Sequence, residues 1–340
     1  MIRKIDPDDV RFFSGRSHPE LAQKIANYLE VPLVKTTFSR FSNDNMFIQL
    51  GATVRGRSVF VFQSLTPPVS DNLMELFIML DIARSAGASE VHAVIPYYSY
   101  ARSDKKDAPR ISITARLIAD LLQTAGATHV MTMTLHSPQV HGFFHVPTDP
   151  LTARNLFVAY LKDKVVATGE WYDPSQVVVI APDFGRAGSA GRLADNLGLP
   201  AISAEKSRVS DTDVVVNDLI IKQVEGFKKA IIYDDEIATG GSITALCDLL
   251  VKSCVEELII TCTHGLFIGD ALERILAIPQ VKEIITTDTV PIPPEKRRPG
   301  LTVLSVAPVI GDAIWKNYNR LSIGSLFSYG NDDDEGLKED

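Results

Sequence analysis

Cysteine is scarce in this 340-residue chain, with only Cys247, Cys254 and Cys262 present. An odd, sparse set excludes a disulfide-stapled secreted scaffold and fits a reducing compartment. With His264 the three can be read as a zinc cluster. Cys247 and Cys254, however, lie seven apart on an apolar helical stretch, and buried free thiols are the better reading. Long apolar runs are missing too. None approaches the roughly 20 residues that a membrane-crossing helix needs. The opening MIRKIDPDDVRFF has neither the apolar core nor the small-residue cleavage site of a secretory signal. Together these absences give a cytoplasmic reading without membrane association. Excess basic charge is also absent. The formal net charge is −8, and the last ten residues hold six acids against one base, which leaves −3 for the rest. A mildly acidic body argues against a nucleic-acid binder.

What is present is enough chain for two domains at about 150 residues each. Apolar residues make up 45% and charged residues 22%, a globular balance that excludes disorder, collagen and coiled coil. Short apolar runs alternate with helical patterns from end to end. Strands are expected at 58–62, 91–95, 129–133, 177–180, 230–233 and 257–262, and helices at 72–86, 113–125, 189–197 and 243–253. Continuous Val/Ile runs between helices indicate parallel sheets covered on both faces, an α/β fold. A faint internal repeat underlies the pattern. Strand, polar loop, helix and strand succeed one another from VFVFQ to VHAVIP, and again from AIIY to ELIITC. Only the second loop carries adjacent acids and paired glycines, which gives the halves different tasks.

The strongest local signal is the segment IIYDDEIATGGS, residues 231–242. A strand ends in Asp234 and Asp235, then Thr239, Gly240, Gly241 and Ser242 open a helix. Open α/β sheets bind ligands outside the carboxyl ends of their strands. Glycines let backbone N–H groups close around a phosphate, and the helix N-terminus adds partial positive charge. The carboxylates suit sugar hydroxyls or Mg²⁺. A second acidic-glycine segment, APDFGRAGSAGR, puts Asp183 after the strand at 177–180, where it can approach phosphate or metal or merely make a tight turn. PYYSYARSDKK places three tyrosines beside Arg102, Lys105 and Lys106, a set that suits a nucleotide base and its phosphates; standing alone, it reads first as an exposed loop with a Tyr patch. His136 and His141 follow the strand at 129–133, where a neutral imidazole can take a metal. Lys206 and Arg208 form a K-x-R that can close over a transferring phosphoryl group, although such pairs are common on surfaces.

Taken together, FFSGRSHPELAQ, GATVRGRSVFVFQS, DNLMEL, PYYSYARSD, ISITARLIADLL, LHSPQVHGFF, DDEIATGGS, TTDTVPIPP and LSVAPVIGDAIW make a sequence that resembles the ribose-phosphate pyrophosphokinases from about residue 11 to 327. The resemblance implies two phosphoribosyltransferase-like domains, each a mainly parallel sheet flanked by helices. The first runs to about residue 150, with 305–327 packing back on it; the second spans 151–304, and 328–340 is an acidic disordered tail. It implies Mg²⁺-dependent transfer of the diphosphoryl group of ATP to the 1-hydroxyl of ribose 5-phosphate, giving 5-phosphoribosyl 1-diphosphate and AMP. On matching positions, Asp234, Asp235 and Ala238, Thr239, Gly240, Gly241 and Ser242 hold ribose 5-phosphate, and Lys206 and Arg208 are catalytic. His136 and Asp183 match the Mg²⁺ positions. Arg102, Ser103 and Asp104 match a nucleotide segment; Phe41, Asn43, Asp44 and Asn45 match a nucleotide loop given by an adjacent subunit, which implies a homo-oligomer such as a hexamer.

The chain departs from the pattern in places. Phe-Ser-Asp-Gly-Glu becomes Phe-Ser-Asn-Asp-Asn at 41–45, Arg-Gln-Asp becomes Arg-Ser-Asp at 102–104, an aspartate becomes Ala238, and Pro-Asp-x-Gly-Gly ends in Arg186. The catalytic and metal positions match better than those meeting the base, so the reaction is marked more strongly than the nucleotide. Two other readings stand beside it: a non-catalytic regulatory paralogue, and a phosphoribosyltransferase that consumes the product.

Overall fold

The computed structural model describes residues 5–168, 173–204, 206–208, 214–216 and 219–327. It divides into two compact units. One contains the chain up to Thr152, Thr289–Pro291 and the segment from Ser305 onward; the other contains Ala153–Asp288 and Ile292–Leu304. The tail expected at 328–340 lies outside the described residues.

The first unit begins with β1 (Val10–Ser14), α1 (Pro19–Leu29) and β2 (Leu33–Val34). Pro19 opens α1, where its missing N–H costs nothing, and Leu21, Ala22, Ile25, Ala26 and Leu29 repeat at helical spacing to form the buried face. An antiparallel hairpin follows, β3 (Thr36–Arg40) and β4 (Met46–Leu50), with Phe38 opposite Ile48. Then come β5 (Ser58–Phe62), α2 (Val69–Ser85), β6 (Glu90–Ile95), α3 (Thr114–Ala125), β7 (His129–Met133) and β8 (Thr148–Leu151). The sheet order is β2-β1-β5-β6-β7-β8, parallel at every pairing. One face packs Leu76, Met79 and Leu80 of α2 and Leu122 of α3 against Val61, Ala93 and Val130. On the other, the Phe12 ring meets Phe60 and Phe62 edge-on, each pair at 5.3 Å. Each such buried ring contributes about 1.5–3 kcal/mol of transfer free energy.

The second unit runs α4 (Arg154–Thr168), β9 (Val177–Ala181), α5 (Phe184–Leu197), β10 (Ala201–Ser203), the short antiparallel pair β11 (Lys206–Arg208) and β12 (Val214–Val216), and α6 (Leu219–Gln223). It continues through β13 (Lys229–Ile237), α7 (Gly241–Lys252), β14 (Glu257–Gly265), α8 (Ala271–Leu276), β15 (Val281–Thr287) and β16 (Leu301–Leu304). Its sheet, β10-β9-β13-β14-β15-β16, is again parallel throughout. The chain then returns to the first unit as α9 (Ala307–Tyr318), which lies against α1 so closely that a Cβ on Gly311 would sit 2.3 Å from the Tyr28 ring. Thr289 is held in that unit too, its carbonyl accepting from Ser64 Oγ at 2.5 Å.

Two expectations need correcting. Cys254 is exposed, while Cys247 and Cys262 are buried. The helix ends at Lys252, and Cys254 follows it in a left-handed turn at φ 64°, off the apolar face. Tyr97 and Tyr98 are also buried, and Tyr98 donates to the Ala115 carbonyl at 2.9 Å. Tyr98 thereby anchors α3, and neither ring offers an exposed stacking platform. Among the described residues no helix is long and apolar enough to cross a membrane.

Candidate functional site

In the second unit, β13 runs further than its apolar core suggests. Pairing with β14 continues through Glu236 opposite His264 and Ile237 opposite Gly265, so Asp234 and Asp235 are strand residues. Asp235 is buried and Asp234 half-buried, and Asp234 Oδ1 accepts from the Asp235 amide at 2.8 Å. Burial, and then the charge of Asp235, push the Asp234 carboxyl well above the usual carboxylate range; Arg186 opposes them.

The turn after β13 is pinned on both sides. The Ala238 carbonyl accepts from the Ile268 amide at 2.9 Å and the Thr239 carbonyl from Arg274 at 2.5 Å. Gly240 stands at the N-cap of α7 with φ 74°, a backbone that side chains rarely adopt. A Cβ there would also approach Ile275 at 3.0 Å. The first intrahelical amide bond is Thr244 to the Gly240 carbonyl, which leaves the amides of the first turn directed out of the helix, as a phosphate requires. Gly241 and Ser242 belong to that turn.

Asp183 lies at the carboxyl end of β9, the sheet neighbour of β13. It caps α5, its Oδ1 accepting from the Arg186 amide at 3.2 Å. Phe184 beside it is 65% exposed. Arg186, which the sequence reading did not place in the site, links the two acidic segments, with Nε 3.4 Å from Asp235 Oδ1 and both side chains buried. Lys206 and Arg208 lie on β11, opposite Val216 and Val214 of β12.

In the first unit, residues 41–45 form the tip of the β3–β4 hairpin. The Phe41 amide donates to the Asn45 carbonyl and the Asp44 amide to the Phe41 carbonyl, both at 2.9 Å. Asp44 takes φ 67°, left-handed backbone that aspartate tolerates. Arg40 bonds Asp44 at 2.7 Å and Asp71 of α2 at 2.8 Å, fixing the tip, while Phe41 is 58% exposed. Arg102 ends a short helical turn after β6. Ser103 Oγ accepts from the Thr114 amide at 3.2 Å, so this hydroxyl seats the start of α3. Asp104 accepts from Ser137 Oγ, which brings the Arg102–Asp104 segment to the residue next to His136. His136 is half-buried, and His141 is exposed.

Among the described residues no group of three or more His, Cys, Asp or Glu side chains stands in metal-holding geometry. Mg²⁺ is bound by one or two carboxylates and keeps several waters. Asp183 and the Asp234–Asp235 pair offer the oxygen donors it prefers. The donor chemistry therefore fits a hard cation.

Comparison with known proteins gives a consistent result. The sequence model described as the N-terminal domain of ribose phosphate pyrophosphokinase matches residues 10–126, and that of the phosphoribosyl synthetase-associated domain matches 192–328. A putative ribose-phosphate pyrophosphokinase of Streptomyces coelicolor is 44% identical over 94% of this chain and 98% of its own. The ribose-phosphate pyrophosphokinase of Deinococcus radiodurans is also 44% identical, over 93% of this chain and 97% of its own. The crystal structure of phosphoribosylpyrophosphate synthetase from Mycobacterium smegmatis superposes with a TM-score of 0.82 at 37% identity, covering 92% of this chain and 99% of that one.

Proposed function

The chain belongs to the ribose-phosphate pyrophosphokinase family, and on that premise we propose that it transfers the β,γ-diphosphoryl group of ATP to ribose 5-phosphate. The 1-hydroxyl oxygen of the sugar forms a bond to the β-phosphorus. The bond from that phosphorus to the α–β bridging oxygen breaks, its electron pair leaves with AMP, and the hydroxyl proton is released. The observation that carries the reading is the Asp234–Ser242 segment, where a strand delivers two acids and then a Gly240 turn opens α7.

In this reading Asp234 and Asp235 accept hydrogen bonds from the ring hydroxyls. The amides of Ala238, Thr239, Gly240, Gly241 and Ser242 hold the 5-phosphate, aided by the helix dipole. Lys206 and Arg208 neutralise charge that develops on the transferring group. Arg102, Ser103 and Asp104 meet the nucleotide, with Phe41, Asn43, Asp44 and Asn45 coming from an adjacent copy in a homo-oligomer such as a hexamer. The exposed Phe41 at a braced hairpin tip supports that role. Asp183 of the second unit and, separately, His136 of the first are each candidate ligands for Mg²⁺, which would supply charge neutralisation of the triphosphate when bound. The enzyme works in the cytoplasm.

The test is ³¹P NMR of the purified protein with ribose 5-phosphate, ATP and Mg²⁺. Product diphosphate resonances rising together with AMP support the reading, and GTP or CTP in place of ATP tests the altered 41–45 segment. A folded sample that binds ribose 5-phosphate but turns over no donor replaces it with a regulatory paralogue.

A further inference from the structure

Arg186 stands where helix energetics disfavour it. It is the third residue of α5 after the Asp183 cap, within the first turn, where the positive end of the helix dipole favours acids and repels cations. It is also only 6% exposed, so its guanidinium has lost most of its hydration. A buried ion pair is weak evidence of stabilisation, since hydrophobic replacements are often as stable. An arginine in this place therefore needs another reason, and its contacts supply one. Its amide donates to the Asp183 carboxylate at 3.2 Å and lies 3.1 Å from the Asp183 carbonyl, while Nε lies 3.4 Å from Asp235 Oδ1. One residue thus spans the carboxyl ends of β9 and β13.

We propose that Arg186 is a positioning residue for the sugar, orienting the buried Asp235 carboxylate so that it accepts a ring hydroxyl of ribose 5-phosphate. The inference rests on the functional reading above and adds to it the residue that sets acceptor affinity and hydroxyl discrimination. Arg186 touches no reacting atom. Its removal therefore raises the KM for the sugar and leaves the chemical step, which belongs to other side chains, comparatively intact.

The experiment compares wild type, Arg186→Lys and Arg186→Gly in steady state with ribose 5-phosphate and with its 2-deoxy and 3-deoxy analogues, all of which keep the 1-hydroxyl. Calorimetric binding of ribose 5-phosphate and the thermal midpoint are measured in parallel. A hydrogen bond to a charged group is worth about 10- to 100-fold in affinity. Wild type is expected to disfavour one deoxy analogue by about that factor. Arg186→Gly is expected to raise the ribose 5-phosphate KM by about 10- to 100-fold with kcat changed less than about fivefold, and to cut the discrimination to below about threefold. Arg186→Lys keeps the charge without the planar fork and recovers part of both effects. A structural role would weaken all three sugars alike. If Arg186→Gly does not fold, Arg186→Lys decides: discrimination reduced at an unchanged thermal midpoint supports the proposal. Variants that discriminate as wild type does overturn it while leaving the functional reading intact. Wild type that neither binds nor turns over ribose 5-phosphate overturns both.

Discussion

His92 makes the pH dependence of the first unit predictable. Its ring lies on β6, 2% exposed, stacked on Phe60 at 4.2 Å and 8° and 5.1 Å from the ring of His129. Nε2 faces Glu90 Oε2 at 3.2 Å, and Nδ1 is buried without a hydrogen-bond partner among the described residues. Burial lowers the His92 pKa, Glu90 opposes this by hydrogen bond and charge, His129 lowers it further, and Asp149 raises it slightly. The folded value thus lies below the unfolded value of about 6.5. The unfolded chain takes up the proton first, so stability is intact above about pH 6.5 and is lost as the pH falls toward the folded pKa. The loss between pH 7.5 and 5.5 is bounded at about 1.4 kcal/mol, the full one-proton difference over that range. His92→Phe keeps the aromatic stack and removes the proton site. Urea unfolding is followed in a Trp171→Phe background, so that Trp315 of α9 reports the first unit. The stability of the protein that retains His92 should fall relative to the His92→Phe variant as the pH drops across the range, by up to that amount. Histidines that do not interact with His92 cancel in this difference. Parallel pH profiles for the two proteins would refute the reasoning.

Four further outcomes follow from the same geometry. Lys206→Ala should lower kcat by about 10²- to 10³-fold, the usual loss of a charge placed at a transition state, with the ribose 5-phosphate KM within a few fold; an unchanged kcat removes it from the catalytic set. Gly240→Ala adds a Cβ at φ 74° and 3.0 Å from Ile275, which should cost about 1–2 kcal/mol of stability and raise the ribose 5-phosphate KM, both read from one preparation. Gly265→Ala places its Cβ 2.4 Å from the Phe267 ring and 2.7 Å from Thr286 Oγ1, and should lower stability by about 1–3 kcal/mol by calorimetry. Burial pushes the Cys247 thiol up to about 12 and Cys262 higher still, so a thiol reagent at pH 8 should find one reactive cysteine, Cys254, in native protein and three in urea.

The sheet was legible where strands are fully buried and long enough to register as apolar runs. The strands at 58–62 and 129–133 have the bounds their sequence suggests. Elements that announce themselves less clearly were missed for identifiable reasons. β2 has two residues, and β8 contains Pro150, which reads as a strand breaker but is tolerated on the sheet edge. The helix expected from 189 starts at Phe184, because the Asp183 cap fixes its first turn although Gly185, Gly188 and Gly191 argue for a loop. β13 continues through two carboxylates to Ile237 because its neighbour β14 extends alongside it, a fact of pairing invisible in one segment. Arg186 was visible only as a departure from a glycine pattern; its proximity to Asp235 depends on which strands are neighbours.

The faint repeat acquires a topological meaning once the sheet orders are set side by side. β1, β2, β5, β6, β7 and β8 correspond in sequence and in sheet position to β9, β10, β13, β14, β15 and β16. In each unit a two-stranded antiparallel excursion is inserted between the second and third sheet strands, β3–β4 in one and β11–β12 in the other. An insertion there leaves the parallel core untouched, because neither hairpin contributes a strand to the main sheet. It is thus a position where sequence can change without cost to the fold. The first unit uses it for Phe41–Asn45, and the second for Lys206 and Arg208. The divergent 41–45 segment and the K-x-R pair therefore occupy corresponding insertions. The strand-borne acids Asp234 and Asp235, by contrast, stand in the sheet itself, where the pairing of β13 with β14 constrains them and a changed residue disturbs the core. A residue on such an insertion can change without touching the parallel core, whereas a change at Asp234 or Asp235 falls in the β13–β14 pairing itself.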